Sequence, residues 1–181
     1  MVDVVKMFGD FERTPLVPLN SLPNEIGIYW LADHSGRRRY IGITDRLGFN
    51  QRINRYHAAG DETNSHKFSC NYNIGRMFRD AKDRSHDASL AKKLRRHFIR
   101  RYCTAACLPL TMAKNELEFI ERRFIAMARP EDVLWNDSRS RSATFGEPEY
   151  LVSALIDELG WSEADRVCLE RRKSRSSISG N

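Results

Sequence analysis

Cysteine is scarce in this chain. Cys70, Cys103, Cys107 and Cys168 are the four thiols in 181 residues, and Cys103 and Cys107 lack a second pair that would complete a zinc ribbon. That spacing reads as idle or buried thiols in a reducing cytoplasm. Long apolar runs are missing too. No stretch approaches the roughly 18 apolar residues that a membrane span needs. The opening MVDVVKMFGDFERTP meets an acid too early for a signal peptide. With a mean hydropathy of -0.57, the expectation is a water-soluble, cytoplasmic, globular protein with no membrane partner. No internal repeat is present, and neither is an RRM or KH signature.

What the chain does have is a moderate excess of basic charge. Thirty Lys+Arg against 24 Asp+Glu give a formal charge of +6, which favours polyanionic partners but depends on how the charge is distributed. The basic residues cluster at Arg37-Arg38-Arg39, along Lys92, Lys93, Arg95, Arg96, Arg100 and Arg101, and at Arg171-Arg172-Lys173. The length suits one domain with an appendage.

Pro15, Pro18 and Pro23 mark residues 1–24 as an extended lead-in. Ile26 to Leu31 and Arg39 to Ile43 flank the polar turn Asp33-His34-Ser35-Gly36, which predicts a β-hairpin. Helices are expected over residues 49–57, 71–83, 88–101, 113–128 and 147–159. Residues 104–110 read as a third strand, which Pro109 either places at a sheet edge or shortens. In the helix over 88–101, Leu90, Leu94, Phe98 and Ile99 form one side and most of the six basic residues the other. Residues 138–146 read as a Ser/Arg linker, 147–170 as a helical appendage and 171–181 as a disordered basic tail. Trp30, Trp135 and Trp161 look like core or interface residues, with Trp30 a candidate for lining a groove.

Centring the hairpin turn between His34 and Ser35 pairs Gly27 with Gly42, Ile28 with Ile41 and Tyr29 with Tyr40. Alternation then puts both tyrosines on one face and both isoleucines on the other, toward the core. The glycines would let something approach the backbone closely.

Gly27-Ile28-Tyr29, ten intervening residues and Tyr40-Ile41-Gly42 resemble the signature of the GIY-YIG nuclease family. Further residues resemble its pattern downstream. Arg52 and Tyr56 share a helix face at i and i+4, with His57 the alternative to Tyr56. On a later helix, Glu116, Glu118 and Glu121 compete for the family's metal-binding carboxylate. Glu118 has mostly polar neighbours, whereas periodicity alone leaves Glu116 and Glu121 open. The resemblance selects Glu121, with Asn136 following beyond the helix end.

The resemblance covers about residues 25–137. It implies a small α/β domain, with a short antiparallel β-sheet of about three strands flanked by α-helices. It also implies a metal-dependent DNA endonuclease using a single Mg²⁺ or Mn²⁺. In that reading Glu121 holds the cation, Arg52 grips phosphate oxygens, and Tyr29 acts as base or positions the attacking water. Tyr40, Tyr56 or His57, and Asn136 support them. His66, Lys67, Lys93, Arg96 and Arg100 are the candidate nucleic-acid contacts. RNA is left open as substrate, and a homodimer would allow both strands to be cut. The alternative is a catalytically inactive nucleic-acid-binding module on the same scaffold.

Overall fold

A computed structural model describes residues 3–61, 67–137 and 145–178. The chain divides into two compact units. The first comprises Met1–Tyr56 and Arg100–Ser140, the second His57–Ile99 and Arg141–Asn181. The single domain expected over 25–137 is therefore split. Its middle third belongs to the second unit.

The first unit is an α/β fold built on a four-stranded antiparallel sheet. Its strands are β1 (Val17–Pro18), β2 (Gly27–Ala32), β3 (Arg38–Thr44) and β4 (Thr104–Pro109), in the order β1-β4-β2-β3. Of the two roles open to Pro109, the structure shows the shortening one: the strand ends at Pro109, and it is not the edge strand, because β2 pairs on one side and the two-residue β1 pairs with Thr104 and Ala105 on the other. The lead-in is likewise not simply extended. Helix α1 (Val4–Arg13) starts at Asp3, whose Oδ1 accepts from the backbone N–H groups of Val5 and Lys6 at 3.1 and 3.0 Å, as an N-cap does.

Helix α1 buries Phe8 and Phe11, three residues apart, on one face of the sheet. Phe11 stacks between Trp30 and Phe124, with ring centroids 5.3 and 5.4 Å away. Phe124 comes from α5 (Lys114–Met127), which also buries Leu117 and Ile120. These side chains, with Ile28, Ile41 and Ala106, make the core of this unit. Each fully buried ring contributes roughly 2 kcal/mol of transfer free energy. Trp30 thus belongs to the core face, and its indole N–H donates to the Asp132 carbonyl at 2.9 Å.

The hairpin register differs from the symmetric one. Tyr29 faces Gly42, Trp30 faces Ile41 and Leu31 faces Tyr40, with an irregularity between Leu31 and Ala32. The shift is two residues, so face parity survives. Asp33 builds the turn: its Oδ1 accepts from the backbone N–H of Ser35 (2.9 Å) and Arg37 (3.1 Å), and its Oδ2 from Arg39 Nε (2.8 Å). Gly36 closes it at φ +76°.

The second unit holds α3 (Lys67–Cys70), most of α4 (His86–Tyr102), α6 (Glu149–Glu158) and α7 (Glu163–Ile178). The helix expected over 71–83 is absent. Gly75 takes φ +53° in a short 3₁₀ turn, and the Asn73 side chain bridges the N–H and carbonyl of Arg79 at 2.7 and 3.0 Å. Such side-chain bonds compete with helix formation. Helix α7 continues to Ile178 through the stretch read as a disordered tail. It buries Leu169 and Arg172, the latter paired with Asp83 at 2.6 Å. The Ser/Arg linker lies mostly outside the described residues. No helix among the described residues is long and apolar enough to cross a membrane.

Candidate active site

The tyrosine face of the hairpin is arranged around its glycines. Tyr29 is fully buried on the central strand, and its ring lies toward Tyr40 with centroids 6.5 Å apart and planes tilted by 32°. A Cβ on Gly42 would stand 2.5 Å from the Tyr29 hydroxyl oxygen and 2.8 Å from Tyr40 Cε1. Gly27, at φ +145°, has Leu108 O only 2.2 Å from where its Cβ would be. The close approach these glycines permit is therefore made by the protein's own tyrosine ring and by β4.

Arg52 ends α2 (Phe49–Arg52), and the chain then widens into a π-turn over Ile53–His57. The helix is anchored by Phe49 N–H to Glu25 O at 2.9 Å and Asn50 N–H to Pro23 O at 3.2 Å. The Arg52 guanidinium lies over the Tyr56 ring, 4.9 Å from its centroid, and donates a hydrogen bond to the Tyr29 hydroxyl. Its Nε is buried with no hydrogen-bond partner among the described residues. Burial opposes the charge on Arg52, but attraction to Tyr29 and the hydrogen bond between them, with a contribution from Tyr40, raise its pKa.

A cavity of about 430 Å³ brings Tyr29, Tyr40, Arg52 and Glu121 together. The rest of its wall includes the loop Thr44 to Leu47, together with Lys114 and Glu118. The Thr44 hydroxyl donates to the Leu47 carbonyl and closes the loop. Glu121 is half-buried one residue beyond the core side chain Ile120. Lys114, Glu118 and Glu121 follow one another at four and three residues, which puts them on one helix face. Glu118 therefore lines the cavity despite its polar neighbours, with Lys114 Nζ at 3.6 Å. Glu116 is spent at the helix start, where it accepts from the Ala113 N–H at 3.0 Å.

Burial pushes the Tyr40 phenol up to about 12, with the Glu121 charge adding to the rise and Arg52 opposing it. Tyr29 is pushed higher still, by burial first and then by Tyr40, against the pull of Arg52. Both are neutral phenols near pH 7. Two neutral hydroxyls, the Arg52 guanidinium and the Glu121 carboxylate thus meet in the cavity, with Asp45 and Glu118 also on its wall, a set suited to holding an oxyanion beside a cation.

The donors offered to a cation are all oxygens, and among the described residues no group of three or more His, Cys, Asp or Glu forms a metal cage. That set fits a hard divalent ion held by one carboxylate and otherwise by water and substrate oxygens. It does not fit a fully protein-ligated metal.

The other predicted residues fall elsewhere. Asn136 does not line the cavity. Its Oδ1 accepts from Ile41 N–H at 2.9 Å and its Nδ2 donates to Ile41 O at 2.7 Å, so it pairs with the outer edge of β3 between Tyr40 and Gly42. Tyr56 reaches the site through Arg52, whereas His57 is buried in the second unit. Lys67, Lys93 and Arg96 also belong to the second unit. Lys93 sits 5.5 Å from the centroid of the half-buried Trp161 ring. Arg96 Nε donates to Ala59 O at 3.1 Å, and Arg100 Nη2 to Asn54 O at 2.9 Å. His66 lies outside the described residues.

No protein-family model, no curated protein and no solved structure matches the chain. The chemistry of the site is therefore read from its own side chains. The residues that pattern reasoning missed are the Thr44–Leu47 loop, Lys114 and Glu118. The four-and-three spacing from Lys114 to Glu121 was the available signal.

Proposed function

We propose that the cavity hydrolyses phosphodiester bonds in DNA with a single divalent cation, as a GIY-YIG-type endonuclease. One observation carries the reading: Tyr29, Tyr40, Arg52 and Glu121, from four separate elements, line the same cavity. Hydrolysis at phosphorus needs an oriented water and stabilisation of charge on the phosphoryl oxygens. Arg52 presents a planar fork to those oxygens, steadied by the Tyr56 ring on one side and by Tyr29 on the other. Tyr29 and Tyr40, held protonated by burial, act as hydrogen-bond donors that orient phosphate and water. A direct base role for Tyr29 is disfavoured by its raised pKa, so the water's proton leaves through a relay.

Glu121 would hold Mg²⁺ or Mn²⁺, whose contribution is Lewis-acid polarisation of the phosphate and its leaving oxygen. Asn136 acts at one remove, by fixing the β3 backbone between Tyr40 and Gly42.

The test is strand scission of duplex, flap, single-stranded and RNA substrates, in Mg²⁺ and in EDTA. Metal-dependent breaks in duplex or flap DNA are expected. Breaks confined to RNA would move the substrate class. Binding that survives EDTA with no breaks in any substrate would favour the inactive nucleic-acid-binding module instead.

A further inference from the structure

The arginine run Arg37-Arg38-Arg39 has no part in the tyrosine cavity, yet it lines a second cavity of about 480 Å³ in the same unit. Arg129, Glu131 and Asp132 complete most of its wall, so four guanidinium groups face two carboxylates.

Three of the four arginine side chains have anchors. Arg38 lies over the Trp30 ring, 4.6 Å from its centroid, and donates to the carbonyls of Glu12 and Thr14 at 2.7 and 2.9 Å. Those partners carry no formal charge at the bonding atom, and Arg38 Nε is buried with no hydrogen-bond partner among the described residues. Arg39 is pinned by Asp33. Arg129 is fixed through Nε by Asp132 at 3.0 Å but remains 73% exposed. Arg37 has its backbone locked by Asp33 Oδ1 while its side chain is exposed. A rigid turn carrying an exposed arginine, facing a second exposed arginine over a buried cation, is a preorganised anion site.

We infer that this cavity binds a backbone phosphate of the nucleic acid flanking the bond that is cut. Arg39 lines this cavity and its neighbour on β3, Tyr40, lines the tyrosine cavity, so the two adjoin along that strand. One strand lying along β3 would engage both. The inference rests on the proposed nuclease reading for the polymer's identity, but its test is a binding measurement independent of cleavage.

Anisotropy of a labelled duplex is measured in EDTA over a salt series, with the full-length wild type, Arg37→Ala/Arg129→Ala, Arg37→Glu, and Lys6→Ala/Arg13→Ala as a charge-matched control on exposed α1. The first double variant is expected to bind about tenfold more weakly, equally across sequences, with a salt slope shallower by about two. Arg37→Glu should weaken binding as well, and the control should keep wild-type affinity. Inorganic phosphate or pyrophosphate competing at the wild type but not at the Arg37/Arg129 variant would support the site. Unchanged affinity and slope in both arginine variants would overturn it, as would equal losses in the control or no duplex binding by the wild type. If the wild type binds through these arginines but cuts nothing, the phosphate site stands and the nuclease reading fails.

Discussion

Gly42 stands opposite Tyr29 on the neighbouring strand, leaving 2.5 Å between the position of an added Cβ and the Tyr29 hydroxyl oxygen. The glycine is thus the floor on which the buried phenol lies. Gly42→Ala should displace the Tyr29 ring, lowering cleavage about 100-fold and stability by about 1–3 kcal/mol. Single-turnover rates and urea midpoints measured on the same preparation separate the two effects.

Asn136 acts as one more strand residue at the edge of β3. Asn136→Ala leaves the Ile41 N–H and carbonyl without these bonds and should cost about 1–3 kcal/mol. Cleavage should fall less than for a cavity residue, and added Mg²⁺ should not restore it. Urea denaturation and a Mg²⁺ titration check both statements.

The hairpin was legible because alternation fixes faces even when the register is off. The two-residue shift arises from the irregularity at Leu31/Ala32 and the Asp33-centred turn, and it leaves Tyr29 and Tyr40 on the same side. Glu121 was legible only with help from the family resemblance, since Glu116 has the same apolar periodicity and differs through its bond to the Ala113 N–H. Helix α1 was hidden behind three prolines that lie beyond it, although Asp3 followed by Val4, Phe8 and Phe11 carried a cap and a period. The false helix over 71–83 shows the reverse: its apolar spacing loses to Gly75 and to the Asn73 side-chain bonds, which depend on residues several positions away. Arg95 does not stand out among the six basic residues of its helix, because burial of a cation depends on distant carbonyls that no local pattern displays.

Arg95 is fully buried on α4, and its Nε donates to Gly60 O at 2.9 Å, with Nη2 on the same carbonyl. Arg95→Ala should cost about 3 kcal/mol by stranding that carbonyl and opening a cavity. Arg95→Lys should rescue little, because a single ammonium does not reproduce the fork. Thermal melts of the two variants beside the wild type decide this.

The raised phenols give stability a defined pH dependence. Below pH 10 both tyrosines are neutral in folded and unfolded chains, so their contribution is intact. Above 10.0 the unfolded phenol ionises first while Tyr40 holds its proton to about 12, so stability falls through that window. Urea midpoints from pH 8 to 11 should decline, with Tyr40→Phe declining less steeply. A decline already present at pH 8 that Tyr40→Phe removes would contradict the buried neutral phenol.

The most direct measurement is single-turnover cleavage of duplex DNA by wild type and Glu121→Ala in saturating Mg²⁺, beside duplex binding in EDTA. The predicted result is metal-dependent cutting by the wild type, a loss of about 100-fold or more in the variant, and equal affinity of the two proteins for duplex. Cutting by Glu121→Ala at the wild-type rate, or no cutting by the wild type in any divalent metal, would contradict it.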